Sequence, residues 1–573
     1  MRVLGIEGTA WCASAALYDA ETDSVLIESD PYEPDSGGIH PREAAEHMSE
    51  AIPEVVDRVL TAAEERHGPD AVDAVAFSRG PGLGPCLRIV GTAARSLAGT
   101  LGVPLVGVNH MVAHLEIGRH RSGFDNPVCL NASGANAHLL GYHDGRYRVL
   151  GETMDAGVGN AIDKFTRHVG WSHPGGPKVE AAAAEFAASA GETDVEGESS
   201  GGTTETDLLD LPYVVKGMDF SFSGISSAAN DAANEGVPVG EICFSLQEHV
   251  FAMLTEVAER ALSLTGADEL VLGGGVAQND RLREMLAAMC GARGAAFHAP
   301  EPRFLRDNAG MIAVLGAKMA AAGDTVAVAE SAVDPNFRPD QVPVTWRTSE
   351  SVARRDEPER PETDTDADRR GAEATVEVTG GGDDRRVIKR RVPKSYRHPE
   401  LDRTLRRDRT VAEARLTSEA RRAGVPTPLV YDVDLATATL TLQHVGDRDL
   451  AAALDERSTE AVGRHLARLH GAGVVHGDPT TRNVRVALGG EGAEADERAG
   501  APPETYLIDF GLGYHTGHVE DHAMDLHVFE GSVRATAADP GPLVAAFEAG
   551  YAAVGDGDVL DRLRDVADRG RYR

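Results

Sequence analysis

The stretch Val108-Asn109-His110-Met111-Val112-Ala113-His114-Leu115-Glu116 decides how the first half of this chain is interpreted. It follows an apolar run over residues 103–108 that has the character of a β-strand. If the stretch is helical, His110 and His114 project from one face of the helix, which is the spacing of a metal-binding pair. The spacing alone leaves a second interpretation open, in which one imidazole packs or caps and the other is solvated.

Further along the chain in both directions, glycine-rich turns follow predicted strands. An apolar strand over 2–6 leads into Glu7-Gly8-Thr9-Ala10, and its hairpin partner is predicted over 13–18. A turn over 78–85 (Ser-Arg-Gly-Pro-Gly-Leu-Gly-Pro) joins a strand to a helix, and a triple glycine over 273–275 stands shortly before a second helix. Backbone amides in such turns, and at the helix N-termini that follow, can face a phosphate. The pattern therefore predicts nucleotide-binding loops.

The Asn-His-x-x-x-His sequence, the Gly-Pro-Gly-Leu turn and the triple glycine resemble the universal tRNA threonylcarbamoyladenosine synthase family, formerly classed as glycoproteases. The resemblance covers residues 1–338 and implies an α/β, actin-like fold of two lobes, like that of sugar kinases and Hsp70. It also implies transfer of the L-threonylcarbamoyl group from threonylcarbamoyl-AMP to N6 of the adenosine 3′-adjacent to the anticodon. The substrates would be tRNAs that read codons beginning with A.

The same resemblance assigns site residues. His110, His114 and Asp307 would bind one divalent metal, and two imidazoles with a carboxylate suit iron or zinc. Most members of the family have a tyrosine ligand where this chain has Asn131, so the fourth position departs from the family's pattern. The residues implied for binding threonylcarbamoyl-adenylate are Asn131, Ala132, Ser133, Gly134, Ala135, Asp163, Gly176, Glu180 and Asn279.

A second set of chemically informative residues lies within 371–573. Lys389 ends a predicted strand, Asp478 is followed five residues later by Asn483, and Asp509 opens an Asp-Phe-Gly sequence. This ordered set positions phosphates, accepts a hydroxyl proton and binds magnesium. It resembles the small atypical serine/threonine kinase of the KEOPS complex, which implies an α+β bilobal protein-kinase-like domain that uses ATP and Mg.

Roles in this second unit follow from the resemblance. Asp478 would be the catalytic base, and Asn483 and Asp509 would hold Mg. Lys389 would hold the ATP phosphates and pair with Glu413 on a predicted helix. The other residues implied for ATP binding are Gly371, Ala372, Glu373 and Ala374.

The second unit departs from ordinary protein kinases. No Gly-x-Gly-x-x-Gly loop precedes Lys389, and no Ala-Pro-Glu segment follows the Asp-Phe-Gly sequence. An ordinary peptide-docking surface is therefore not expected, which fits a kinase with few targets, one that phosphorylates itself, or an ATPase. The whole chain is interpreted as a fusion of two KEOPS subunits that acts on tRNA together with other small KEOPS subunits.

Composition agrees with two units joined by an acidic linker over 339–370. The net charge is −35, and only six of the 56 basic residues are lysines, a balance that favours a high-salt cytoplasm and predicts a halophilic archaeon. The five cysteines form no Cys-x-x-Cys pair, which favours reduced thiols. With no apolar run of ~20 residues and no signal peptide, the sequence predicts a cytoplasmic protein without a membrane partner.

Three other segments carry structural predictions. Residues 191–206 are polar and acidic, and an exposed insertion is expected there. Residues 243–264 have the pattern of an amphipathic helix. Residues 385–409 hold eleven basic and three acidic side chains, which predicts a tRNA-binding surface that includes Arg390, Arg391 and Arg397, unless these side chains are neutralised within the kinase lobe.

Two other function classes remain open at this point. A metalloprotease would use the histidine pair, but Met111 stands where His-Glu-x-x-His enzymes carry the basic glutamate. A signalling protein kinase with an N-terminal scaffold would not need an intact metal site. Peptide cleavage abolished by His110→Ala would favour the first class, and tRNA modification that survives Asp307→Ala would favour the second.

Overall fold

The computed structural model describes most of the chain. The described residues are 1–32, 39–134, 136–143, 145–192, 208–349, 369–370, 373–487 and 504–567. The predicted insertion from residue 193 onward, the linker over 350–368, and Ala135, Gly371 and Ala372 lie outside these ranges. None of the helices within them is long and apolar enough to cross a lipid bilayer.

The first lobe is a five-stranded sheet in the order β3-β2-β1-β4-β5. Its central strand β1 pairs antiparallel with β2 and parallel with β4. Residues Leu4 and Ile6 of β1 are buried against the apolar face of α1, where Ile52 and Val55 lie. The elements are β1 (Arg2–Glu7), β2 (Cys12–Asp19), β3 (Ser24–Pro31), α1 (Pro41–His67), β4 (Ala74–Gly80), α2 (Gly84–Leu101), β5 (Leu105–Asn109) and α3 (His110–Ser122).

The second lobe repeats that layout in a five-stranded sheet of order β12-β11-β6-β7-β8. Its central strand pairs antiparallel with β7 and parallel with β11. Two mixed sheets of the same design confirm the predicted two-lobed α/β unit. The elements are β6 (Val128–Ala132), β7 (Ala137–His143), β8 (Arg146–Glu152), α4 (Val158–His168), α5 (Gly176–Glu192), β9 (Val215–Lys216), β10 (Asp219–Phe220), α6 (Ser223–Asn234), α7 (Val239–Thr265), β11 (Glu269–Gly273), α8 (Asp280–Arg293), β12 (Ala296–His298) and α9 (Pro302–Leu305).

Helices α3 and α10 (Ala309–Ala321) lie between the two sheets. Val112 and Leu115 of α3 share one core with Cys129 and Val271 of the second sheet. Helix α10 packs on β1 so closely that a Cβ at Gly5 would lie 2.8 Å from the Ala313 backbone nitrogen. The histidine pair on α3 and the start of α10 therefore meet in the cleft between the lobes.

The predicted linker begins too early. Val342 and Trp346 are buried in the core that joins the two lobes, and Trp346 stacks on Tyr147 with ring centroids 6.2 Å apart. Apolar burial of this kind fixes the segment to the first unit. The folded part of that unit therefore extends through Arg347, into the short helix α11 (Trp346–Ser349).

The C-terminal unit has a sheet lobe and a helical lobe. The sheet lobe is a five-stranded sheet in the order β13-β14-β15-β17-β16, with one long helix, α12. The helical lobe carries two small sheets, β18-β20-β21 and β19-β22. The elements are β13 (Arg369–Arg370), β14 (Ala374–Thr379), β15 (Arg386–Arg391), α12 (Pro399–Arg422), β16 (Val430–Asp434), β17 (Thr439–Gln443), β18 (Arg448–Asp449), α13 (Glu456–Gly471), β19 (Val474–Val475), β20 (Val484–Ala487), β21 (Glu504–Leu507), β22 (Tyr514–His515), α14 (Val519–Thr536), α15 (Pro540–Ala552) and α16 (Gly557–Ala567).

The prediction of an amphipathic helix over 243–264 is wrong in one respect. Helix α7 is buried nearly all round, and its buried side chains include Glu248, Glu256, Glu259 and Arg260. The reason is that α7 packs on the second lobe along part of its surface and on the C-terminal unit at the charged positions near its end. A helix enclosed in this way needs no solvent-facing stripe.

Glu256 of α7 is the centre of the contact between the two units. It is 1% exposed and accepts hydrogen bonds from Arg260 at 2.9 Å, Arg397 at 2.6 Å and Arg409 at 3.1 Å. Burial opposes ionisation, but these arginines hold the pKa of Glu256 below its usual value. The carboxylate is therefore charged and paired inside the protein.

Ion pairing overturns part of the predicted tRNA surface on the basic segment. Arg391 and Arg397 are 2% and 6% exposed and are ion-paired with Glu413 and Glu256, so the prediction that they face tRNA is wrong. Lys394 similarly contacts Glu259 at 2.6 Å. The basic side chains of the segment that remain exposed are Arg385, Arg386, Arg390, Arg403 and Arg407.

Replacing Glu256 tests this interface. Glu256→Ala leaves Arg260, Arg397 and Arg409 buried without their shared carboxylate, which costs about 3–5 kcal/mol. We expect the midpoint of thermal unfolding, measured at fixed KCl by circular dichroism, to fall clearly. Glu50→Ala, at an exposed position on α1, is the control and should leave the midpoint unchanged. Equal midpoints for the two variants would contradict the assigned role of Glu256.

Candidate functional site

Helix α3 begins at the histidine pair because Asn109 caps it. The Asn109 Oδ1 accepts a hydrogen bond from the Val112 backbone N–H at 3.0 Å, which satisfies an amide of the first turn. His110 and His114 then lie one turn apart, with ring centroids 4.9 Å apart. They are 5% and 2% exposed, so both imidazoles are buried.

Asp307 completes this cluster from the segment before α10. Its Oδ1 lies 3.2 Å from His114 Nε2 and 3.4 Å from His110 Nε2. The helix is capped by Asn308, whose Oδ1 accepts the Met311 N–H at 3.2 Å, so Asp307 is not used as the cap. One ligand atom from each of the three residues lies within 4.8 Å of the others.

Glu7 holds the first imidazole from behind, and sequence reasoning missed this role. Its Oε2 lies 3.2 Å from His110 Nδ1, while Oε1 accepts the Thr9 N–H at 2.8 Å and Ser78 also donates to the carboxylate. Burial acts against protonation of His110, but Glu7 and Asp307 raise its pKa to about 10. No local pattern shows a partner that lies 103 positions away in the sequence.

The cluster fits a divalent cation. Both Nε2 atoms face one carboxylate oxygen, and the carboxylate oxygens of Glu7 and Asp307 create a negative environment that attracts positive charge. An imidazole whose second nitrogen contacts a carboxylate is a common arrangement for metal ligands. Two imidazoles and one carboxylate suit iron and zinc equally well.

Two groups of the predicted adenylate-binding residues lie on the second lobe. Asp163 on α4 accepts the Gly175 N–H at 2.7 Å, next to Gly176 at the start of α5.

The second group lies at the start of α8. Glu180 on α5 accepts the Asp280 N–H at 2.9 Å. Asn279 caps α8 through Oδ1 and donates from Nδ2 to Gln247 Oε1 at 3.2 Å. Glu180 and Asn279 therefore meet at the N-terminus of α8, where an anion is favoured.

The remaining predicted residues of this group form the turn after β6. Asn131 and Ala132 end the strand, and Ser133 Oγ donates to the Asn136 carbonyl at 2.8 Å. The Gly134 carbonyl accepts the Asn160 N–H at 2.9 Å, which joins the turn to α4. Gly274 has φ of +84°, and a Cβ there would collide with the Ala132 carbonyl, so the middle position of the triple glycine must lack a side chain.

In the C-terminal unit, Lys389 joins two carboxylates. Its Nζ lies 2.8 Å from Glu413 Oε1 and 2.7 Å from Asp509 Oδ1. Arg391 contacts the same glutamate at 2.6 Å. These cations outweigh the effect of burial and hold the pKa of Asp509 at about 2. Asp509 has φ of +66°, a conformation that is unusual for a residue other than glycine and is found most often at functional sites.

Asp478 lies close to this group. Asn483 Nδ2 donates to Asp478 Oδ2 at 2.9 Å, and Asp525 accepts the backbone N–H groups of His476 and Gly477, which fixes the loop. Burial raises the pKa of Asp478 to about 7 even though Arg260 opposes the shift. Arg260 comes from α7 of the first unit, and its Nη1 lies 3.1 Å from Asp478 Oδ2.

The first unit also contacts this loop through the hairpin of β9 and β10. The Gly217 N–H donates to the Gly477 carbonyl at 2.8 Å. Gly217 has φ of +58°, and a Cβ there would lie 2.5 Å from Val528 and 3.4 Å from Asp478 Oδ1. Lys216 pairs with Asp521 at 2.9 Å. Sequence reasoning missed the contacts that Arg260 and this hairpin make with the C-terminal unit, because nothing in their local patterns points to that unit.

The segment predicted to bind ATP phosphates is only partly described. Glu373 forms ion pairs with Arg260 and Arg409. These arginines, despite burial, hold its pKa well below the usual value. Ala374 begins β14 and pairs with Arg391 on β15. Gly371 and Ala372 lie outside the described residues. The described part of this segment therefore joins the interdomain ion-pair cluster.

Comparison with known proteins adds an independent finding. The family model for TsaD, tRNA N6-adenosine threonylcarbamoyltransferase, matches residues 22–314. A Halobacterium salinarum protein described as a probable bifunctional tRNA threonylcarbamoyladenosine biosynthesis protein is 67% identical over 576 residues, covering 100% of this chain and 99% of that protein. A Methanosarcina mazei protein with the same description is 45% identical over 579 residues, with the same coverage.

Likeness to solved structures is weaker. T. kodakarensis HypF has a TM-score of 0.39 at 13% identity, covering 58% of this chain and 49% of that one. A structure of the Rio2 kinase–ADP/Mg²⁺–phosphoaspartate complex from Chaetomium thermophilum has a TM-score of 0.25 at 16% identity, covering 36% and 71%.

The metal cluster can be tested directly. His114→Ala removes one of three converging ligand atoms, so we expect the purified protein to lose most of its bound iron or zinc, measured by inductively coupled plasma mass spectrometry. The control is His120→Ala, which removes an imidazole of the same helix that contacts Asp23 instead. Equal metal content in the two variants would show that His114 is not a ligand.

Proposed function

The chain belongs to the tRNA N6-adenosine threonylcarbamoyltransferase family, and on that basis we propose roles for its residues and for its second unit. The first unit transfers the L-threonylcarbamoyl group from threonylcarbamoyl-AMP to N6 of the adenosine 3′-adjacent to the anticodon. Its fold is the actin-like one, with substrate held between the two lobes. The observation that carries the proposal is the buried convergence of His110, His114 and Asp307 in the interlobe cleft.

His110, His114 and Asp307 hold the metal, with Glu7 orienting the first imidazole. When bound there, a divalent iron or zinc ion would supply Lewis-acid stabilisation of charge on the acyl-phosphate oxygens. The turn over 133–134 contributes a backbone amide to the adenylate site. Asp163 and Glu180 bind the ribose hydroxyls, with Gly176 against the sugar and Asn279 close to the nucleoside.

Transfer proceeds by direct attack of the tRNA amine. The N6 nitrogen bonds to the carbamoyl carbon, the bond from that carbon to the phosphate oxygen breaks, and AMP departs while N6 loses a proton. A covalent cysteine intermediate is disfavoured because all five cysteines are buried. Burial raises the pKa of Cys12 to about 12 and that of Cys86 to about 11, so their thiols are poor nucleophiles.

The second unit is an atypical serine/threonine kinase or ATPase that regulates the first. Lys389 holds ATP phosphates, Asn483 and Asp509 hold Mg, and Asp478 is the base. The first unit limits access to that base, since Arg260 contacts Asp478 and Gly217 bonds to the loop that carries it. An acceptor as small as water meets less obstruction here than a peptide, so ATP hydrolysis is the activity that this geometry favours.

The proposed partners are tRNA and the other small KEOPS subunits, and the proposed location is the cytoplasm. Because the charges of Arg391 and Arg397 are neutralised inside the protein, tRNA contact relies on other exposed side chains of the chain and on these partners. Exposed phosphate contacts weaken as salt rises. Recognition of tRNA shape by the assembled complex would therefore matter more in a salty cytoplasm.

The transferase role has a direct test. Full-length protein, its partner subunits, threonylcarbamoyl-AMP and unmodified tRNA are combined, and the modified nucleoside is measured by mass spectrometry. We expect Asp307→Ala to reduce formation by at least ~100-fold, because the carboxylate ligand is lost. Asp324→Ala, on the loop after α10, is the control and should be active. Full activity of Asp307→Ala would reject the proposed metal role.

The kinase-like unit predicts a pH dependence. A general base must be ionised, and Asp478 has a pKa of about 7, so ATP hydrolysis by the full chain should rise as pH increases through that value. Asp478→Asn cannot be ionised and should give a rate close to zero at every pH. A wild-type rate in Asp478→Asn, or a rate that falls as pH rises through 7, would show that Asp478 is not the base.

A further inference from the structure

Three buried polar atoms around the metal cluster have no hydrogen-bond partner among the described residues. They are His114 Nδ1, Asn131 Oδ1 and His138 Nδ1. The residues that carry them are 2%, 3% and 1% exposed, so water does not reach them from the surface. A buried polar group without a hydrogen-bond partner costs about 1–3 kcal/mol of folding free energy. Three such atoms around one site therefore indicate that the site forms further hydrogen bonds when it is occupied.

Strand register places these residues together. Asn131 on β6 lies opposite Gly273 on one side and opposite His138 on the other. A Cβ at Gly273 would lie 3.6 Å from Asn131 Oδ1 and 3.9 Å from His114 Nδ1. Asn131 Oδ1 and His114 Nδ1 therefore both lie within 4 Å of one point beside Gly273.

The chemistry of His114 requires an acceptor at this place. Its Nε2 faces Asp307 at 3.2 Å and is the nitrogen available to a metal. A neutral imidazole that ligates through Nε2 carries its proton on Nδ1, and that N–H needs a partner. His110 satisfies the same requirement through Glu7, 3.2 Å from its Nδ1. For His114, the neighbouring buried acceptor is Asn131 Oδ1.

His138 fixes which way the Asn131 amide points. Its Nε2 lies 3.5 Å from Asn131 Nδ2, a long contact in which a neutral imidazole accepts from the amide N–H. With Nδ2 directed to His138, Oδ1 is directed away from it, toward the space that Asn131 shares with His114. The opposite amide orientation would place two donors, Asn131 Nδ2 and His114 Nδ1, on the same side.

We propose that, when a metal is bound, Asn131 and His138 form a hydrogen-bonded relay that orients His114: Asn131 Oδ1, which has no partner in this structure, then accepts from His114 Nδ1, and His138 Nε2 holds the amide by accepting from Asn131 Nδ2. Both are positioning residues, and Asn131 is not itself a metal ligand. The inference rests on the metal centre proposed above and goes beyond it, since it gives the second imidazole a counterpart of the contact that Glu7 makes with the first.

The relay is tested by the affinity of the purified full-length chain for Co²⁺, measured in competition with a chromophoric chelator. Losing a hydrogen-bond partner of a ligating histidine lowers metal affinity roughly 10–100-fold. We expect that loss in Asn131→Leu and in His138→Leu. Asn131→Asp keeps an acceptor, and His138→Gln keeps an oxygen that accepts from the Asn131 amide, so both should bind Co²⁺ within a few-fold of wild type.

The absorption spectrum of the Co²⁺ protein separates positioning from ligation. If Asn131 is not a ligand, the ligand-field bands of Asn131→Leu, recorded at saturating Co²⁺, should match those of wild type. Shifted bands in that variant would show direct ligation and overturn the relay. ATP binding by the second unit, measured on every variant, reports whether the chain is folded.

Three other outcomes would also test the relay and the metal centre. Unchanged Co²⁺ affinity in both leucine variants, with wild type binding normally, overturns the relay and leaves the proposed metal centre intact. Loss of threonylcarbamoyl-AMP binding without loss of Co²⁺ affinity would assign Asn131 to the substrate instead. Failure of wild type itself to bind Co²⁺ would overturn the metal centre and the relay together.

Discussion

Charge that is removed from water must be paired, and three carboxylates, two of them buried and one partly buried, show how that constraint organises this chain. Asp307 lies between His110 and His114, Glu256 among arginines of both units, and Glu413 between Lys389 and Arg391. Removing an ion from water costs several kcal/mol unless a partner compensates. Each pairing therefore fixes the segment that carries it, and the functional groups are positioned by the same contacts that stabilise the fold.

Helix α7 carries polar and charged side chains that contact both units. Its Gln247 contacts Asn279 at the proposed adenylate site, and its Glu256 and Arg260 contact the C-terminal unit. At a rise of about 1.5 Å per residue, these ends are roughly 20 Å apart on one rigid element. The transferase and the kinase-like unit are therefore packed around a shared helix, which gives the fusion of the two a structural basis.

The same contacts explain how an acidic protein uses its few cations. The net charge is −35 and arginine greatly exceeds lysine. Guanidinium groups suit buried carboxylates because their planar fork can donate several hydrogen bonds at once. Arg260, Arg397 and Arg409 are used in this way. Salt screens buried pairs much less than exposed ones, so this interface suits the high-salt surroundings that the composition predicts.

The sequence by itself determined the family, the two-lobed α/β unit, and the helix that presents His110 and His114, because residue type and local spacing encode these features. The same spacing put Asp478 and Asn483 on one loop. Tertiary structure decided the rest. The acceptor behind His110 is Glu7, and the partner of Asp478 is Arg260, each brought in from a distant part of the chain. The basic segment was misinterpreted for a related reason: a run of arginines shows how much charge is present, but only tertiary packing shows that Arg391 is buried against Glu413 of α12 and Arg397 against Glu256 of α7. Local patterns specify elements, whereas the pairing of buried charge depends on which elements meet.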